Sequence, residues 1–458
     1  MGDPLQPPIG DAANPTATND AAATSAVPLY PAWVLLDKVA CYRDGENATT
    51  AEATTFTGQT VRVTFFLADP PAVSSFAVLD DQKDLLGLPR AVFSAKDLVL
   101  LRFVFAARAR STVVPRRSPD QYFVYKVGHG GKPSLTPIPT SDRPNNYPSY
   151  PAIVTFEDQD GNFLVAELAM TKLAHYDLHI FSSKTNAWTT RPLQLQVPPA
   201  ATEDLPRTTH KVIALGAGTV GWIDLWRGIV VCNVFDLNPV LRFIPLPKPE
   251  FNLRLEGDPQ RIRDVTCCNG FVKFVEMEHY PRPDTNTKRN FKTTKDLDSA
   301  VVLYDEELFL RSSEDLEEQP GPLDWKIRTC YRHTSWNLWC KGHTVHVDDI
   351  LVDDPSYYMM LPELWDVNAR KFTLANLTAV CPTLSIHGGN VVYLVLKVVA
   401  DDEEAWMVGV DLRKKTVELL EPYSAGRSCL HQTPFLACTF SRYLNTPRYL
   451  HNDMNLSN

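Results

Sequence analysis

The chain has 458 residues, 44% of them hydrophobic and 22% charged, proportions of a globular protein with room for one large core or two to three ordinary ones. Its net charge of −9 argues against a general nucleic-acid or anionic-membrane surface, because both select a basic face. The longest apolar stretches, such as residues 391–400, stop far short of a membrane span.

Residues 1–28 are rich in Ala, Thr, Pro and Asp and poor in large apolar groups. Such a segment cannot offset its ordering entropy by burial, which predicts a disordered N-terminal tail. No basic stretch followed by an apolar one opens the chain, so neither a signal peptide nor a transmembrane segment is expected. The nine cysteines are odd in number and scattered, several within apolar runs. That pattern predicts reduced thiols in an intracellular compartment, cytoplasm or nucleus.

From Leu29 to about residue 445 the runs are short, rich in Val, Phe, Tyr and Ile, and broken by Pro, Gly, Asn and Asp. This is the grammar of strands and turns, and it predicts one mostly β domain over 29–445 followed by a C-terminal tail, 446–458. Four segments share one pattern of strand, polar turn, strand and Leu/Ile/Pro exit: 120–139, 176–193, 228–247 and 405–422. Their first strands start at Tyr122, Asp177, Ile229 and Trp406, spaced by 55, 52 and 177 residues. Repeats of ~50–60 residues are close to the kelch spacing and predict a β-propeller-like array of about six antiparallel blades, kelch-like or F-box-associated-like. An irregular pair of β-sandwiches would use similar strands. Two degenerate units, 299–309 and 343–355, are expected to fill the middle. The stretch 305–319 serves equally well as a helix or an acidic loop. Two basic insertions, 108–121 and 281–299, are candidate loops for an unknown protein partner.

The stretch 211–236 contains Gly216-Ala217-Gly218-Thr219-Val220-Gly221, with Asp236 placed like the ribose acid of a dinucleotide site. A Rossmann crossover needs a helix after the third glycine. Here only Trp222–Arg227 precede Gly228, and a helix of six or seven residues is about 10 Å long, too short to return along a strand. Read as strands, the stretch is strand, glycine turn, strand, turn at Arg227-Gly228, strand. Gly221, Trp222, Asp224, Trp226 and Gly228 then form a structural signature, with Asp224 holding a turn or backbone amide. No dinucleotide or other cofactor is expected.

Cys330, His333, Cys340 and His343 are zinc-ligand types in two C-x-x-H pairs. Positions three apart on an extended strand point to opposite faces, so no metal site is expected, and these four are its only weak candidates. His175 and His179 are four apart but lack the glutamate and helix of a metalloprotease motif. No nucleophile elbow, phosphate-binding loop or kinase motif set is present, so no catalytic residue is assigned.

Residues 220–247, with their Trp-Asp-Leu-Trp-Arg-Gly core, resemble the plant domain-of-unknown-function family 1618, which is expanded in grasses. Residues 28–44 resemble the opening of its members, and 325–367, with Asp348-Asp349-Ile350, resemble its later half. The resemblance implies no established activity and no catalytic residues. It links the chain to stress response and development. Its strand pattern is also similar to F-box-associated propellers, although no F-box precedes Val61. The expected function is a non-enzymatic protein-interaction scaffold; the alternative is a propeller enzyme, of hydrolase or lyase type, with a site in the central channel.

Overall fold

The computed structural model describes residues 30–445 apart from 57, 81–84, 86, 106–119, 129–130, 141–149, 157–160, 197–203, 249–257, 282–322, 368–369, 399–403 and 425–434. Both tails, the unit expected at 299–309, the helix-or-loop stretch 305–319 and nearly all of the two basic insertions lie outside these residues.

The described chain is almost entirely β. It begins with β1 (Val34–Asp37), β2 (Ala51–Thr54), β3 (Thr60–Phe66) and β4 (Val73–Asp80). Four-stranded antiparallel meanders follow. They are β5 (Arg90–Ala95), β6 (Leu98–Phe103), β7 (Gln121–Lys126) and β8 (Ser134–Ile138); then β9 (Ala152–Thr155), β10 (Phe163–Lys172), β11 (His175–Ser182) and β12 (Ala187–Gln194). Next come β13 (Lys211–Gly216), β14 (Thr219–Asp224), β15 (Gly228–Asn233) and β16 (Arg242–Pro245), and after them β17 (Arg263–Cys268), β18 (Phe271–Pro281), β19 (Leu323–His333) and β20 (Cys340–His346). A small two-stranded sheet, β21 (Trp365–Asp366) and β22 (Lys371–Phe372), precedes the last meander of β23 (Thr378–Leu384), β24 (Val391–Lys397), β25 (Glu404–Asp411) and β26 (Thr416–Ser424). The final strand, β27 (Phe435–Cys438), returns to the first sheet, which has the order β2-β3-β4-β1-β27.

One edge strand of each blade, the first in blades 2–6 and β27 in the first sheet, packs on that of the next. β5 meets β9, β9 meets β13, β13 meets β17, β17 meets β23, β23 meets β27 and β27 meets β5. The ring therefore closes, and the architecture is a six-bladed β-propeller. Blade 1 is a composite, with N-terminal β1 antiparallel to C-terminal β27 and parallel to β4. Burial follows position in the blade. Strands β15 and β24 are buried along nearly their whole length because neighbouring blades cover both faces, whereas the outer strand β12 is largely exposed. This explains why some strands read as continuous apolar runs and others as alternating ones.

The four repeated segments are the third and fourth strands of blades 2, 3, 4 and 6. The middle of the chain differs from expectation. One blade, β17–β20, stands where two degenerate units were expected, and residues 343–355 form the end of β20 and a short 3-10 turn rather than a blade unit. The remaining blade is the composite of the two chain ends. Its halves are separated by the whole ring, so a local repeat scan has nothing to register.

Strand polarity sorts the connections. Every second-to-third-strand connection and every crossover to the next inner strand opens on one face of the ring. The chain leaves β6 and β18 for the two basic insertions at that face, where Arg90, Lys211 and the residues preceding the other inner strands also lie.

Candidate functional site

The signature residues build the joint between blades 3, 4 and 5. β13 and β14 form a hairpin whose turn residues Ala217 and Gly218 both have positive φ, +46° and +77°, as a type I′ turn requires. The glycines therefore serve a β-hairpin, and Asp236 is exposed in a separate turn beyond β15. Trp222 is buried in the core shared with blade 3 and donates its indole N–H to the Tyr150 carbonyl at 3.2 Å. Asp224 is fully buried. It accepts the amides of Trp226 and Arg207, each at 3.0 Å, and the Arg227 guanidinium at 3.3 Å. The Arg263 guanidinium lies 4.7 Å from the Trp226 ring centre, pairs with Glu276 at 2.5 Å and donates to the Leu225 carbonyl at 3.0 Å. Arg328 joins the other oxygen of Glu276 at 3.0 Å. Gly228 lies so close to the next strand that a Cβ there would sit 2.6 Å from the Ile244 carbonyl oxygen.

Cys330, His333, Cys340 and His343 are not brought together. Cys330 pairs with Lys341 and Tyr331 with Cys340, so the two thiols lie on opposite faces of the β19–β20 ladder. Cys330 is in the core between blades 4 and 5. His333 bonds Ser335 at 2.7 Å, and the His343 amide donates to the Thr329 hydroxyl at 2.8 Å. On β11, the His175 and His179 rings bond the Leu173 carbonyl and the Thr190 hydroxyl. Among the described residues, one trio of metal-ligand type converges: Asp324, His346 and Asp348. Both ring nitrogens of His346 are engaged, Nε2 with the Tyr280 hydroxyl and Nδ1 with the Asp348 amide at 3.2 Å, which leaves no imidazole lone pair for a metal. The eight cysteines among the described residues are free thiols; burial pushes those of Cys232 and Cys267 up to about 11.

Two features escaped the sequence. The first is a cavity of about 190 Å³ at the mouth of the central channel, lined by Lys38, Arg90, Arg102, His210, Lys211 and Tyr150 among others. These residues are spread over most of two hundred positions. Their shared signal is placement, at or just before an inner strand or at the end of β1. Burial pulls the Lys38 ammonium down to about 8, with repulsion from Lys211 adding to it and Asp264 opposing. Burial also lowers His210, against the attraction of Asp224 and Asp258.

The second is a rim platform between blades 5 and 6. Residues 347–377 belong to no blade; Val347, Ile350, Tyr357, Leu361 and Leu364 are buried against both neighbours. Their exposed companions are apolar: Met359 is 84% exposed, Val367 74% and Leu351 57%. Leu351 runs beside β26 through amide–carbonyl bonds with Lys415 and Val417. Tyr358, in the 357–360 helical turn, lies against the Phe372 ring of β22. Asp348, Asp349, Asp353, Asp354 and Glu363 are exposed on the same stretch of chain.

Residues 222–393 match the family model described as protein of unknown function, DUF1618. The match begins inside β14 and ends inside β24, and therefore spans blade 5, the rim platform and parts of two flanking blades. No curated protein matches the sequence. Two solved structures of a Synechocystis apocarotenoid oxygenase, a mutant and a cobalt-substituted form, align at 10% and 12% identity. Each alignment covers 89% of this chain and 95% of the other, with TM-scores of 0.24 and 0.23, too loose a superposition to carry any argument. Among the described residues, no helix is long and apolar enough to cross a membrane.

Proposed function

We propose that the protein is a non-enzymatic interaction scaffold that docks a protein segment with apolar anchors and basic flanks on the rim platform. The observation that carries this reading is the exposure of Met359, Val367 and Leu351 on one short stretch of chain that belongs to no blade. Met and Tyr are enriched in interface cores, and an apolar patch with a polar rim is the usual anatomy of a docking surface. The acidic rim selects basic flanks on the partner. The insertion 281–299 supports the same reading, because it leaves β18 beside the platform: Tyr280, one residue before it, bonds His346 at the platform's start. The insertion 108–121 leaves β6 on the channel-mouth face and offers a second contact. The free thiols suit a reducing, intracellular setting, and we read the partner as one of stress response or development, after the family resemblance.

The test is a photo-crosslinking residue at position 359 of the full-length protein, expressed in its own tissue. One partner should crosslink, bind again as a purified protein with salt-sensitive affinity, and be lost on Val367→Asp. Crosslinking equal to that from Thr189 on β12 would overturn the reading.

The alternative, a hydrolase or lyase in the central channel, draws on the polar channel mouth. Among the described residues the lining of that mouth includes one imidazole and no carboxylate, a composition better suited to holding a ligand than to paired acid–base chemistry.

A further inference from the structure

Arg90 and Arg102 are direct cross-strand partners in the β5–β6 ladder, an arrangement that like charges destabilise. Lys38 and Lys211 repel each other across the same mouth. Four cations thus converge on one cavity in a chain of net charge −9, and among the described residues no carboxylate lines it. The acids near the mouth have neighbours of their own: Asp37, beside Arg90, accepts the Val39 amide, and Asp258, near Lys38, accepts the Gln260 amide. Asp264 holds Lys211 at 2.5 Å and accepts the Leu384 amide at 3.0 Å, and Asp120 lies 3.0 Å from Arg102. Charges of one sign gathered in a protein-walled cleft concentrate ions of the other sign.

Tyr150 also lines a second cavity, of about 180 Å³, between blades 3 and 4. Leu168, Met170, Trp222 and Val230 give it apolar walls. Tyr176 contributes a hydroxyl that is buried and has no hydrogen-bond partner among the described residues, a costly state that a ligand atom would relieve.

We propose that the channel mouth binds a small organic oxyanion. Its doubly charged head sits among Lys38, Arg90, Arg102 and Lys211, and its flat apolar body passes Tyr150 toward the Tyr176 cleft. A phosphate monoester and an aromatic dicarboxylate share this chemistry. The site is separate from the rim platform and does not depend on it.

The experiment is calorimetric titration of the full-length protein with phenyl phosphate, phthalate and inorganic phosphate at low salt. At least one aromatic oxyanion should saturate, bind about tenfold more tightly than inorganic phosphate, and weaken as salt rises. Saturation by phenyl phosphate alone identifies a phosphate head, and saturation by phthalate alone a dicarboxylate. Lys38→Gln and Arg90→Gln should each weaken binding about tenfold or more, as loss of a charge-assisted hydrogen bond does. Tyr176→Phe should reduce the advantage of the aromatic ligand while leaving inorganic phosphate unaffected. Absence of saturation by all three ligands in the wild-type protein would overturn the proposal. So would affinity unchanged in both cation variants, each checked by its melting curve to be folded.

Discussion

Tyr30 and Asn445, 415 residues apart, close the ring with a reciprocal pair of hydrogen bonds. The Tyr30 amide donates to Asn445 Oδ1 at 2.7 Å, and Asn445 Nδ2 donates back to the Tyr30 carbonyl at 2.8 Å. The pair lies beyond the β1–β27 ladder and ties the ends of the described chain. Asn445→Ala removes both bonds and should cost about 1–3 kcal/mol, read as a lower urea midpoint. Asn445→Asp keeps the acceptor and loses the donor, so its loss should be smaller. Wild-type midpoints in both variants would show that the β1–β27 ladder alone holds the ring.

The two signature glycines should differ. A Cβ on Gly228 would meet the Ile244 carbonyl oxygen, which is backbone, at 2.6 Å, with the Phe243 ring also too close. A Cβ on Gly221 would meet the Ile229 Cγ2 methyl at 2.8 Å, and a side chain can shift. Gly228→Ala should therefore destabilise by about 1–3 kcal/mol, the usual range for overpacking, and Gly221→Ala by less. Chemical denaturation of both variants checks the order.

Much of the fold was legible because blade hairpins are local. In β14 and β15 the alternation, the turn residues and the apolar runs all point to the same register. The composite blade was not legible, because β1 gains its antiparallel partner only when β27 returns. The channel mouth was invisible for a related reason. Lys38, Arg90 and Lys211 have nothing in common until the ring gathers the inner strands. Asp224 shows the opposite case, since its amide partner Trp226 is two residues away and could be expected from the turn itself.

Glu276 is fully buried between Arg263 and Arg328, which stand on β17 and β19 of the same blade. Glu276→Ala leaves two guanidinium groups without their shared carboxylate and should cost about 3–5 kcal/mol. Glu276→Gln keeps the volume and one acceptor oxygen and should fall between. The Trp226 ring near Arg263 gives a second readout: tryptophan fluorescence of the folded protein should change in Glu276→Ala as the guanidinium moves. Unchanged stability in Glu276→Ala would mean that Arg328 and its Lys248 carbonyl partner already satisfy this site.

His210 sets a pH dependence whose sign follows from its surroundings. Burial lowers its pKa from the ordinary 6.5, and Asp224 and Asp258 only partly oppose this. Its Nδ1 accepts the Leu225 amide at 3.2 Å, a bond the neutral ring makes and a doubly protonated ring cannot. The unfolded chain therefore takes up the proton at higher pH than the folded one. The stability that His210 contributes is complete above pH 6.5 and falls as pH drops from there toward the folded-state value. Asp258 works in the opposite direction, because burial raises its pKa above 3.8: its contribution is lost as pH rises through the folded value. The imidazole thus dominates the window just below neutrality. The unfolding free energy should drop between about pH 7.5 and pH 5.5 in the wild-type protein, and the drop should shrink in His210→Gln, whose amide oxygen can accept the same Leu225 bond without titrating. A slope unchanged by that substitution would assign the pH dependence to other groups.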